Sequence, residues 1–214
     1  MAVSLRTGTY GSYYGNDYNS SKALTQEQMQ MNATYIYSYL SAKGWTKESV
    51  SALLGNMQAE SSINPGRWQS DRVGGDSSGH GYSLTQWTPY TKYTNWCTEQ
   101  GYTDPSEMDN ALARIIYEVE NNLQWYGTGA YSGMSFAEFS QSTLTPGYLA
   151  RGFLLCYERP ADQSASVQEY RSSLANAWYE YLGGVVPSDP TITTRTRKRK
   201  FNFILMGRRR RLNA

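Results

Sequence analysis

Histidine is nearly absent from this 214-residue chain: His80 is the only one, and cysteine occurs twice, at Cys97 and Cys156. No Cys/His set has zinc spacing, so no protein metal site of the usual kinds is expected, and no cofactor. His80 sits in a glycine-rich loop and reads as a solvated side chain. Two cysteines are too few for a disulfide scaffold. Reduced and buried is their default, since free Cys packs as a small hydrophobe; pairing between them stays open. Long apolar runs are missing too. Nothing approaches the roughly 18 apolar residues of a membrane span, and "MAVSLRTGTYGSYYG" lacks the apolar region of a signal peptide. The expectation is a protein made in the cytoplasm without a signal peptide, which leaves a cell, if it does, by another route.

Acidic residues are lacking at the C-terminus. All 18 Asp and Glu precede Arg195, whereas nine of the 20 Lys and Arg lie from Arg195 onward, so residues 1–194 carry −7 and the last 20 carry +9. That describes an acidic domain with a basic tail, not a mildly basic protein. The length suffices for one good-sized domain plus tails. Aromatics are plentiful, with 19 Tyr and six Trp. Rings of this kind fill cores and interfaces; when exposed they bind sugars or proteins.

Residues 1–23, rich in Gly, Ser, Tyr and Asn, have no helical or strand period. They read as an arm or linker, disordered or lying on a partner. "LTQEQMQMNATYIYSYLSAKG" opens with a capping box, Thr25 to Gln28, and continues with Met29, Ala33, Ile36, Tyr37 and Leu40 at helical spacing. Thr46 caps a second helix with Val50, Leu53, Leu54 and Met57 on one stripe. Residues 66–83, with five glycines, read as a small hairpin or long loops. A helix is expected after Pro89, another from Asp104-Pro105 carrying Met108 to Leu123, a short one from the capping box Ser135 to Glu138, one from Thr145-Pro146 to Pro160, and a last over 165–182. That is six or seven helices with one small β-like insert.

Glu60 stands out. Surface carboxylates favour the first turn of a helix, yet Glu60 lies near the end of the second helix. At about 100° per residue it falls roughly 70° from the centre of the apolar stripe. A carboxyl on that border is partly desolvated, which favours its protonated form, as a general acid for a glycosidic oxygen requires. Trp68, Tyr82 and Trp87 offer flat faces for sugar rings. Gln86 and Asn56 can hydrogen-bond N-acetyl or hydroxyl groups.

These residues stand in a longer pattern: "LLGNMQAESSINPGRWQ" (53–69), "GYSLTQWTP" (81–89), "RIIYEVENNLQW" (114–125) and "FLLCYERPAD" (153–162), preceded by "MNATYIYSYLSAKGWTKESV". Several long blocks in this order, over roughly residues 25–183, resemble the phage tail lysozyme family, which includes tail-tip morphogenesis proteins of small short-tailed phages. The resemblance implies an α+β, mainly α, lysozyme-like fold with a small β-hairpin or loop insert. The chain then divides into an N-terminal arm over 1–23, a catalytic domain over 24–186, and a linker with basic tail over 187–214. It implies a muramidase that cleaves the β-1,4 bonds of peptidoglycan glycan strands, with Glu60 as general acid. The pattern is also similar to goose-type lysozymes and lytic transglycosylases, where a Glu-Ser pair precedes a Gly-Leu-x-Gln stretch. Here those are Glu60-Ser61 and Ser83 to Gln86, with Ser83 standing where relatives often have Gly and adding a hydroxyl to the cleft edge. Tyr157 falls in a family block and joins the substrate-binding candidates; Glu158 reads as an ion-pair partner for Arg159 or Arg114.

The second carboxylate is open. Glycosidases usually pair two carboxyl groups, and Asp71 and Asp76 are the acids between Glu60 and the Gln-Trp motif. Asp also builds turns in such loops. If neither serves, the substrate's own N-acetyl group assists, as in lytic transglycosylases, and the product is a 1,6-anhydro sugar. A structural tail component that keeps the fold without turnover is a third reading. Some relatives carry a metallopeptidase domain after the lysozyme domain; here "RTRKRKFNFILMGRRRRLNA" follows instead. The resemblance places the chain in a virion, at the tail tip or interior. Partners are then peptidoglycan, other tail proteins through residues 1–23 and 195–214, and packaged DNA through 195–214.

Overall fold

The structure is a computed structural model that describes residues 3–75, 79–185 and 187. Its centre is the second helix, α2 (Lys47–Ser61), on which Val50, Ala52, Leu53, Leu54 and Met57 are all fully buried. Thr46 caps it as expected, its hydroxyl accepting the Ser49 N–H at 3.2 Å. A helix buried almost all round needs neighbours on every side. They are α1 (Gln26–Ser41), α6 (Pro146–Phe153) and α7 (Ala165–Gly183). α2 comes close to α7 at Gly55, where a Cβ would lie 2.7 Å from the backbone nitrogen of Ala175.

α1 opens with the Thr25–Gln28 capping box read from the sequence: Gln28 N–H donates to Thr25 Oγ1 at 3.3 Å, and Thr25 N–H to Gln28 Oε1 at 3.0 Å. α3 (Thr91–Glu99) follows Pro89, and α5 (Phe136–Ser140) has its Ser135–Glu138 box. α4 (Met108–Glu120) begins three residues later than Asp104-Pro105 suggests. Asp104 instead accepts the Ser106 N–H at 2.9 Å and shapes the preceding turn. α6 runs into a π-helical turn, Leu154–Glu158, which Arg159 ends in a left-handed conformation with φ 49°.

The N-terminal arm needs correction. Residues 3–16 are not periodless linker but an antiparallel hairpin, β1 (Val3–Gly8) and β2 (Gly11–Asn16), in register from Val3↔Asn16 to Gly8↔Gly11. It packs on α1, with Tyr13 fully buried. Asn32 of α1 clips the hairpin to the end of α2: it accepts the Tyr14 N–H at 2.7 Å and donates to the carbonyls of Tyr14 at 2.7 Å and Ile63 at 2.8 Å. Arg6 ties the other side to the approach to α4, donating to Ser106 Oγ at 2.9 Å and pairing with Glu107 at 3.2 Å and Asp17 at 2.7 Å. The chain is therefore α+β and mainly α, but its sheet lies at the N-terminus. The described part of 66–83 holds a single 3-10 turn, Gln69–Asp71, and the isolated bridges Trp68↔Tyr82 and Tyr82↔Trp87.

Cys97 and Cys156 are both free and buried; burial pushes the Cys97 thiol up to about 11. No helix among the described residues is long and apolar enough to cross a membrane. The basic tail, 195–214, lies outside the described residues.

Candidate active site

α2 ends where the site begins. Ser62 caps it in the left-handed region, φ 54°. Ser61 Oγ donates to the carbonyl of Leu84 at 2.9 Å and so ties the helix end to the loop carrying Gln86. The Glu60 side chain, 23% exposed, opens onto a cleft of about 820 Å³. Arg67, Gln86, Lys92, Tyr157, Glu158 and Arg159 are among the residues lining it.

Glu60 is ion-paired with Arg171 of α7. That arginine is buried, and its Nη1 donates to the carbonyl of Asn56 at 2.8 Å. Its Nη2 faces Glu60 Oε1 and lies 3.6 Å from Glu158 Oε2. Two carboxyls therefore address one guanidinium nitrogen. The Glu158 side chain is 4% exposed. Burial first, and then the charge of Glu60, hold its carboxyl well above the usual carboxylate range, with Arg171 pulling the other way. Glu158 pairs with neither Arg159 nor Arg114. Arg159 lies over the Tyr126 ring at 4.1 Å, and Arg114 donates to Glu118 at 2.8 Å.

Glu118 is a buried acid that the sequence reading passed over. Its carboxylate accepts from Arg114 Nε, from Trp87 Nε1 at 3.0 Å and from the Tyr157 hydroxyl. Burial raises its pKa, against the pull of Arg114 and these donors. The result is a fixed polar floor that orients two cleft-lining aromatics.

Several assignments change. Trp68 and Tyr82 are 0% exposed and pack on each other at 4.5 Å between ring centres, so they present no face to a sugar. Trp87 and Tyr157 line the cleft but are buried, with their polar atoms spent on Glu118, so neither is a stacking platform. Asn56 is buried and bridges α2 to α6, donating to the carbonyls of Ala52 at 2.9 Å and Ala150 at 3.1 Å. Ser83 is fully buried rather than at the cleft edge, and its hydroxyl lacks a partner. Asp71 does not line the cleft: Arg67 donates to it at 3.2 Å and the Ser21 hydroxyl at 2.7 Å. Asp76 lies outside the described residues. Gln86 lines the cleft with φ 51°, its Nε2 donating to the carbonyls of Ser83 at 2.9 Å and Arg67 at 3.1 Å. Among the described residues no group of three His, Cys, Asp or Glu could hold a metal ion.

Arg171 also escaped the sequence reading, though a signal exists. It shares one buried stripe of α7 with Ala175, Trp178 and Leu182, and an arginine on an apolar stripe needs a buried anion. Glu118 is flagged similarly by Arg114 at i−4.

A helix-rich fold whose central helix delivers a half-buried carboxyl to a polar cleft fits the class of protein that the family comparison then identifies. The phage tail lysozyme family model matches residues 31–182, and the chain belongs to that family. Among curated proteins, Morphogenesis protein 1 of Bacillus phage B103 is 44% identical over 167 residues, which cover 78% of this chain and 43% of that protein. The chain thus spans less than half the length of that relative.

Proposed function

We propose that the protein is a virion-associated muramidase that cleaves the β-1,4 bonds of host peptidoglycan, with Glu60 as general acid, during phage infection. The observation that carries this reading is Glu60 itself, half-buried at the wall of a cleft of about 820 Å³ on a phage tail lysozyme domain. The cations Arg67, Lys92 and Arg159 on the cleft lining suit a polymer bearing lactyl and peptide carboxylates. The morphogenesis relative supports a place in the virion, at the tail tip or interior, with neighbouring tail proteins or packaged DNA as partners of the basic tail. The hairpin leaves a smaller surface for such partners than a free arm, since its Tyr13 is spent on its own domain; Leu5, 56% exposed, still faces outward.

The test is turbidity clearing of purified cell walls. Wild type is expected to clear them and Glu60→Gln to lose nearly all activity; equal clearing by the two rules Glu60 out as the acid. A second reading, lytic transglycosylase, is favoured by Asp71, whose carboxylate is engaged by Arg67 and Ser21 away from the cleft lining. Held there, Asp71 activates no water in the cleft, and in this reading the substrate's N-acetyl group assists instead. Mass spectrometry of released muropeptides separates the two, because an anhydro product is lighter by one water. Binding of glycan without any cleavage, at all pH values, would favour the structural tail component.

A further inference from the structure

A general acid must carry a proton, and Glu60 is held in an ion pair with Arg171. Among the described residues, Glu158 is a candidate source within reach. Glu158 closes the π-helical turn, lines the same cleft, and is all but buried. Neither of its oxygens meets a hydrogen-bond donor, and its nearest cation is Arg171 Nη2 at 3.6 Å. An ionised carboxylate so placed is costly, and one guanidinium cannot neutralise two. The charged groups acting on Glu158 are Glu60 from α2 and Arg171 from α7.

We propose that Glu158 is the proton reserve for Glu60: the two carboxyls hold one proton between them around Arg171, and Glu158 passes it to Glu60 when substrate fills the cleft. This rests on the reading of Glu60 as the acid. At rest the proton is on Glu158, and Arg171 neutralises Glu60. On transfer, the O–H bond of Glu158 breaks and one forms on Glu60. Arg171 Nη2 then needs only a small rotation to neutralise Glu158 in its place. Glu60 next gives the proton to the leaving glycosidic oxygen. It regains one from the attacking nucleophile, water or the sugar's own hydroxyl, and the pair resets. Glu158 touches no substrate atom in this scheme and is a positioning residue. Dyads of this kind titrate as a pair rather than as two independent acids.

The experiment is the pH profile of kcat/KM on purified peptidoglycan for wild type, Glu158→Gln and Glu158→Asp. A pair keeps its last proton to higher pH than a lone acid facing an arginine. Glu158→Gln is therefore expected to lose activity at the alkaline side first, with that limb moved down by about one pH unit or more, roughly tenfold in rate at a fixed alkaline pH, while acid-side activity survives. Glu158→Asp restores the limb. A uniform loss at every pH with the limb unmoved, or an unchanged profile, overturns the proposal. Carboxyl 13C NMR titration of the intact protein gives a readout that needs no turnover. The Glu158 resonance is expected to titrate well above the ordinary value for glutamate, 4.5, and to move down in Glu60→Gln, where the neighbouring charge is gone. A Glu158 that titrates like an exposed glutamate, or is indifferent to Glu60→Gln, overturns the proposal even if the other variants misfold. Failure of the parent reading looks different: Glu60→Gln then clears walls as well as wild type, whatever the titration shows.

Discussion

Ser83 sits at φ 73°, fully buried, with a hydroxyl that bonds to nothing. A non-glycine residue there stores backbone strain, and the unpaired hydroxyl adds a desolvation cost. Both penalties vanish in Ser83→Gly, which is expected to stabilise the protein by about 1 kcal/mol, raising Tm by roughly 2–4 °C for a chain of this size. Differential scanning calorimetry checks it; a lowered Tm counts against the strain argument. Glu118 predicts the opposite. Glu118→Ala leaves Arg114, Trp87 Nε1 and the Tyr157 hydroxyl without their buried acceptor, and is expected to cost about 3–5 kcal/mol in urea unfolding. Glu158 adds a pH dependence. Its folded pKa is raised above the ordinary 4.5, so the folded state favours the protonated form. The stability this contributes is full below 4.5 and is lost as pH rises through the folded value. Glu158→Gln mimics the protonated carboxyl, so the two proteins are expected to have similar urea midpoints at low pH and the wild type to fall behind as pH rises. At this scale the sequence is readable where position alone matters, as with Glu60 at the border of a helical stripe. It is unreadable where direction matters. Trp68 and Tyr82 belong to a glycine-rich segment with no period, so nothing in the spacing says that their rings turn inward.

Among the elements, α2 and α7 decide the geometry of the site, because they carry Glu60 and Arg171. Gly55 lets them approach. In Gly55→Ala the new methyl would sit 2.7 Å from Ala175 N, a backbone atom that cannot swing away. The helices must separate there, one turn from Arg171. The expected cost is about 1–3 kcal/mol of overpacking, measured by urea unfolding, together with reduced wall clearing as Arg171 shifts relative to Glu60. A variant as stable and as active as wild type would show that the contact is slack. Helix ends were legible because capping is local chemistry. The boxes at Thr25–Gln28 and Ser135–Glu138 need only residues three apart, and both form. The hairpin was not. β1 alternates over only four residues, Val3 to Arg6, and exposes Leu5, while β2, GSYYGN, does not alternate at all; what makes them strands is tertiary: Tyr13 buried against α1, Asn32 bonding the Tyr14 backbone, and Arg6 reaching Ser106.

For the whole molecule, that hairpin changes where the folded unit begins. A boundary at residue 24 discards Tyr13 from the core, strips Asn32 of its Tyr14 partners, and leaves Glu107 and Asp109 without the contacts from Arg6 and Thr9. Burial of Tyr13 alone is worth about 1.5–3 kcal/mol, and the buried Asn32 amide is left with the Ile63 carbonyl at 2.8 Å. A fragment of residues 24–187 is therefore expected to be less stable than one of residues 3–187 by about 3–5 kcal/mol, the sum expected of one lost aromatic anchor and one damaged polar network. Urea unfolding of the two fragments side by side measures the difference. Coincident midpoints would mean that the hairpin rides on the domain without supporting it. A large gap would place it inside the cooperative unit, even though residues 3–16 precede the family match that starts at residue 31. The route from hairpin to site is short: Asn32 joins the Tyr14 backbone to the Ile63 carbonyl, three residues beyond Glu60. The shorter fragment is accordingly expected to lose wall-clearing activity at a lower urea concentration than the longer one, in step with its unfolding.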